Sequence, residues 1–140
     1  MTVKIVKLQQ NAKIPTYGST DAAGADLYAC IDAPVSILPG QTVLIPTGLS
    51  MEIEQGFAGF IYARSGLATK RGLAPANKVG VIDCDYRGQV MVSLHNHTDQ
   101  PQQVEPGERV AQMVFAPVYQ AAFCEVDALS DTERGTGGFG

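Results

Sequence analysis

Runs of alternating apolar and polar residues recur along this chain, and glycine or proline cuts nearly every one of them short. Val3 and Ile5 alternate with Lys4 and Lys7, and Ala25 to Cys30 is a second short run. Pro39-Gly40 precedes Thr42 to Pro46, Thr47-Gly48 precedes Leu49 to Ile53, and Gly56 precedes Phe57 to Ala63. A period of two puts successive side chains on opposite faces, so such runs are strands half buried in a sheet. The fifteen glycines and eight prolines among 140 residues leave no window for a long helix. Only Ser65 to Arg71 has room for a helical turn or two, with Ser65 as candidate N-cap and Gly72 as the stop. The expected class is all-β, a sandwich or barrel of short strands.

Later strands are expected at Gln89 to Asn96, Gln102 to Val104 and Arg109 to Tyr119, with Pro106-Gly107 as a hairpin between the last two. One domain spans residues 1–126. Residues 127–140 turn acidic, then glycine-rich, and read as a flexible arm.

A formal charge of −4 argues against a nucleic-acid coat or a membrane-surface protein, while leaving room for a locally cationic anion site. Cys30, Cys84 and Cys124 are odd in number and lack CxxC spacing, which fits a reducing cytoplasm better than a disulfide framework. They read as small core residues. The N-terminus has no signal-peptide core, and no window approaches the roughly 18 apolar residues of a membrane span. A soluble protein is expected.

Chemistry concentrates in a few segments. Gly80-Val81-Ile82-Asp83-Cys84-Asp85-Tyr86-Arg87-Gly88 packs carboxylates, a phenol and a guanidinium between two apolar runs. It reads as a polar hairpin between two strands of one sheet. Arg64-Ser65-Gly66 offers a guanidinium, a hydroxyl and an open backbone at a helix start, a natural oxyanion site. An ordinary cap with an exposed arginine fits the same residues. Gln112 lies inside an apolar run and needs a partner: a ligand, a neighbouring subunit or a structural hydrogen bond. The tail Arg134-Gly135-Thr136-Gly137-Gly138-Phe139-Gly140 could curl its amides round phosphate and stack Phe139 on a base, although it is no P-loop. His95 and His97 share one strand face without a third ligand, so a solvated strand end is the better reading.

In chain order, five of these segments resemble the motifs of the homotrimeric dUTPase family. They are Ala23-Gly24-Ala25-Asp26-Leu27, Arg64-Ser65-Gly66-Leu67-Ala68, Gly80 to Gly88, Gly107-Glu108-Arg109-Val110-Ala111-Gln112, and Arg134 to Gly140. The resemblance implies a jelly-roll subunit in a homotrimer with sites at subunit interfaces. It implies hydrolysis of dUTP to dUMP and pyrophosphate with Mg²⁺, a reaction that limits uracil in DNA and supplies dUMP for dTMP synthesis. Asp83 takes the position of the catalytic aspartate, activating a water for attack on the α-phosphorus. Arg64, Ser65, Gly66, Gln112 and Arg134 are similar to phosphate contacts. Asp26 would touch the metal indirectly, through water. Asn77 with the backbone of Val81 and Ile82 resembles the uracil pocket, Tyr86 would lie under the deoxyribose, Met91 would touch the nucleotide, and Phe139 would close over the base from another subunit. Asp85 and Arg87 would fix the loop. The family tail usually carries hydroxyl residues after Phe-Gly, whereas this sequence ends at Gly140, which would weaken the grip on phosphate.

Three rivals compete with this reading. A dCTP deaminase on the same fold needs a carboxylate base beside the cytosine amine. A dUTP-gated regulatory protein would bind without appreciable turnover. A purely structural jelly-roll oligomer leaves Asp83, Tyr86 and Arg64 unexplained.

Overall fold

The computed structural model describes residues 1–139, and Gly140 lies outside the described residues. It contains strands β1 (Lys4–Lys7), β2 (Thr16–Tyr17), β3 (Ala25–Tyr28), β4 (Val35–Ile37), β5 (Thr42–Pro46) and β6 (Leu49–Glu52). After β7 (Phe57–Tyr62) comes one helix, α1 (Ser65–Arg71), then β8 (Leu73–Pro75), β9 (Gly80–Ile82), β10 (Met91–Asn96), β11 (Gln102–Val104) and β12 (Arg109–Pro117). The strands form a five-stranded sheet in the order β2-β3-β12-β7-β9, a three-stranded sheet β5-β10-β8, and the pairs β1-β6 and β11-β4. Every pairing is antiparallel. The all-β jelly-roll expectation holds.

Alternation in the sequence becomes alternation in burial. Along β10, Val92, Leu94 and Asn96 face inward while Met91, Ser93 and His95 stay half exposed. Ile45, Leu49, Leu27, Leu73 and Met113 join Val92 and Leu94 from other strands in one core cluster. Each such side chain contributes about 1.5–3 kcal/mol when fully buried.

The buried polar residues are satisfied. Asn96 is 0% exposed, yet its Nδ2 donates to Ile37 O (2.9 Å) and Gln100 O (2.8 Å) while its Oδ1 accepts from Thr98 N and Oγ1. Thr47 Oγ1 donates to Val90 O at 2.7 Å.

Several local expectations need correction. β9 pairs only with β7, whereas β10 pairs with β5 and β8, so Gly80 to Gly88 leads into a crossover between two sheets and is no hairpin. Pro106-Gly107 likewise turns the chain from β11, which pairs with β4, into β12, which pairs with β3 and β7. Gly107 has φ 73°, the left-handed value its turn requires. The N-cap of α1 is Arg64, in extended conformation, and Ser65 is the first helical residue. Gly72 does close the helix, at φ 59°, donating its N–H to Ala68 O. Of the cysteines, Cys30 is buried, Cys84 half buried and Cys124 exposed, so only Cys30 is a core residue.

Candidate active site

The long strand β12 assembles one half of the chemistry. Gln112 pairs with Asp26 of β3 on one side and with Tyr62 of β7 on the other, just before Arg64. A β-bulge between Arg109 and Ala111 buries Val110 and Ala111 in succession. An extra residue of this kind re-aims its neighbours. Here Arg109 swings toward Asp26.

Asp26 is 8% exposed, and a carboxylate so buried needs charged partners. Its Oδ1 accepts from Arg64 Nε at 2.7 Å and its Oδ2 from Arg109 Nη1 at 3.2 Å. Two guanidinium groups around one carboxylate leave the cluster with a formal surplus of one positive charge. Arg64 commits only Nε among the described residues, so its terminal nitrogens remain for a ligand.

Around this cluster lies a cleft of about 230 Å³ lined by Gly18, Ala22, Gly24, Asp26, Arg64, Ser65, Gly66, Arg109 and Gln112. Gln112 Nε2 donates to Ala63 O at 2.9 Å, the structural partner its position demanded. Its side chain crosses Gly24, where a Cβ would lie 3.0 Å from Gln112 Cδ and nearer still to Oε1. Gly24 is glycine because Gln112 occupies that space. At Gly66 a Cβ would meet nothing within 4 Å, so packing does not demand glycine there. The Ser65 hydroxyl has no hydrogen-bond partner among the described residues and is exposed.

Asp83 lies elsewhere. It lines a separate cavity of about 900 Å³ with Glu52, Glu54, Phe57, Cys84, Asp85, Arg87, Tyr119 and Gln120 among others. Four carboxylates against Arg87 make that wall acidic, poorly suited by itself to a polyphosphate. The loop after β9 is tied to itself and to β6. Arg87 Nη1 donates to Cys84 O (2.7 Å) and Tyr86 O (3.1 Å), and Ser50 Oγ donates to Arg87 O (2.7 Å). Arg87 fixes the loop, as expected of it.

The base-reading candidates lie on the outer edge of β9, which is the end strand of its sheet. Asn77 is exposed, and its Nδ2 would lie 3.3 Å from a Cβ at Gly80, one residue before Val81. Tyr86 is 44% exposed and Met91 half buried against Pro46. Beyond Val118, whose N–H donates to Gly56 O, the hydrogen bonds of the arm stay within the arm among the described residues. Arg134 Nε donates to Gly137 O at 2.6 Å, and Phe139 projects fully into solvent. Arg134 and Phe139 therefore touch neither cleft in the single chain.

The dUTPase family model matches residues 10–140. The chain belongs to the dUTPase family. It is 49% identical to the deoxyuridine 5'-triphosphate nucleotidohydrolase of Desulfitobacterium hafniense over 139 residues, covering 99% of this chain and 92% of the relative. The corresponding enzyme of Thiobacillus denitrificans is 48% identical over 141 residues, covering 100% and 97%. In fold, the chain is similar to a dUTPase of Staphylococcus bacteriophage 80alpha in complex with dUpNHpp, with a TM-score of 0.89, 25% identity and coverage of 99% and 96%. The dUTPase of phage phi11 of S. aureus, described with a structural Mg(II) ion, matches with a TM-score of 0.84 at 21% identity over 94% and 100%. The reaction of the chain is thus hydrolysis of dUTP to dUMP and pyrophosphate.

The structure adds Arg109, Gly18, Ala22 and Gly24 to the cleft residues expected from sequence. Arg109 was visible as a charge opening an apolar strand, but the bulge that aims it was not. No helix among the described residues is long and apolar enough to cross a membrane.

Proposed function

We propose that the dUTPase site is completed between copies of the chain, with the cationic cleft of one subunit facing the Asp83 loop of another. The observation carrying this reading is that Asp83 and the Arg64–Gln112 group line different cavities of one subunit, while Arg134 and Phe139 reach neither. Attack on phosphorus needs base and phosphate within hydrogen-bond reach of one water. A homotrimer meets that need with three equivalent shared sites.

In this arrangement Arg64, Arg109, Ser65 and Gln112 bind the triphosphate, with Gly66 leaving room for its oxygens. Charge spread over phosphoryl oxygens is stabilised by such fixed donors more than by any covalent step. Asp83, exposed and without a side-chain hydrogen bond among the described residues, accepts the proton of the attacking water. The free edge of β9 at Val81 and Ile82, with the Asn77 amide beside it, reads the uracil edge. Cytosine is refused because its donors and acceptors would stay unpaired there. Tyr86 lies under the deoxyribose, Met91 supports the nucleotide from β10, and Arg134 and Phe139 close over phosphate and base.

Among the described residues Asp26 is the sole carboxylate lining the cationic cleft, and each of its oxygens keeps a lone pair beyond its arginine bond. That suits a Mg²⁺ held mainly by phosphates and water, with Asp26 ordering one of the waters. When bound, Mg²⁺ supplies neutralisation of phosphate charge. A cytoplasmic, soluble enzyme acting on free dUTP, with neither nucleic acid nor membrane as partner, completes the reading.

The test is a nucleotide panel with light scattering on the same samples. Pyrophosphate release from dUTP with Mg²⁺, little from dCTP, dTTP or UTP, and a trimer mass are expected. A fully active monomer would overturn the shared site.

A further inference from the structure

We propose that Gly88 is a positioning residue for sugar selectivity, acting through Tyr86. The inference rests on the reading of Tyr86 as the floor under the deoxyribose. Gly88 does not have a left-handed φ, so its backbone could carry any side chain. What forbids one is Tyr86. A Cβ on Gly88 would lie 2.5 Å from Tyr86 Cζ, 2.9 Å from Cε2 and closer still to the hydroxyl oxygen. The phenol ring thus lies against the bare Gly88 backbone, and its hydroxyl donates to Gln89 O at 3.0 Å.

The rest of the loop is held without the ring. Arg87 bonds Cys84 O and Tyr86 O, Ser50 bonds Arg87 O, and Gly48 N donates to Gln89 Oε1 at 2.9 Å. Tyr86 N donates to Asp83 O at 3.2 Å. The three atoms nearest a methyl at position 88 all belong to one yielding object, the tip of a side chain that is 44% exposed and has solvent to swing into. The backbone carrying Asp83 stays where it is. The ring alone moves, and with it the surface that refuses a 2′-hydroxyl.

The experiment measures kcat and KM for dUTP and UTP in the full-length wild type, Gly88→Ala, Tyr86→Leu and the double variant, with thermal melts alongside. Gly88→Ala should keep its melting temperature and lower the dUTP-over-UTP ratio of kcat/KM by about tenfold. The dUTP loss should fall mainly on KM, because Asp83 is undisturbed. The double variant should match Tyr86→Leu alone, since with the ring gone the three closest neighbours of the methyl are gone. An unchanged ratio in Gly88→Ala, beside a lowered one in Tyr86→Leu, overturns the role of Gly88 and leaves the Tyr86 reading intact. An unchanged ratio in Tyr86→Leu overturns both. Should Gly88→Ala fail to fold, the double variant must fold. A misfolded double would mean that Gly88 serves the backbone, and the inference falls.

Discussion

The cleft around Asp26 and the loop around Asp83 are held together by opposite means. The first is knitted from residues far apart in sequence: Asp26, Arg64, Arg109 and Gln112 come from β3, the start of α1, and β12, and each leans on another. The second is knitted locally, through Arg87, Cys84, Tyr86 and Gln89, with Ser50 as a bond from a neighbouring strand. Damage to the first should be felt by the whole fold, because the carboxylate at its centre is buried. Damage to the second should be felt by chemistry alone.

The sharpest way to break that contrast is Asp83→Asn. Loss of a general base costs about 10²–10⁴-fold in turnover, and since the Asp83 side chain holds up nothing, the melting temperature should stay put. A coincident fall in stability would show that the loop is more than locally tied. Next in size comes removal of Arg134 to Gly140, expected to lower dUTP turnover roughly a hundredfold through lost closure. The body and its oligomeric mass should survive, because the arm makes no hydrogen bonds to it past Val118 among the described residues.

Asp26→Ala tests the other half. It leaves Arg64 and Arg109 facing each other without a counter-charge, at about 2 kcal/mol of stability, discounted because Arg109 is half exposed. Turnover should fall as well, and a denaturant titration beside a kinetic assay separates the two losses. The smallest effect belongs to a residue of neither half. Desolvation, then His95, then Lys78 holds the His97 pKa below its usual 6.5. The unfolded chain therefore takes up that proton first, and stability drains away as pH falls through and below 6.5. His97→Asn should raise the melting temperature relative to wild type near pH 5, and change neither melting nor turnover near pH 8.

How far the sequence foretold this differs between the halves for the same reason. The strands were legible because alternation is a local signal, and Val92 and Leu94 announced an inward face that the structure extends to Asn96. Partnership between strands is not local. Gly80 to Gly88 looked like a hairpin because two strand-like runs flank a polar turn, yet β9 and β10 find partners in different sheets. The candidate residues Arg64, Ser65, Gly66, Gln112 and Asp26 were readable as motif positions, and the structure gathers them in one cleft. Arg109 stood in a motif too, but its aim at Asp26 was not legible, because it depends on a one-residue bulge. Nor could spacing reveal that Asp26 is spoken for by two arginines, or that glycine at 24 and 88 exists to admit a neighbouring side chain.

The separation of the two cavities within one subunit has a genetic consequence. When the site is shared, a chain crippled at Asp83 and a chain crippled at Arg64 are each inert alone. Co-assembled, they can juxtapose one sound loop with one sound cleft. Two dead alleles in one cell would then rescue each other in part, whereas two alleles damaged in the same cavity would not.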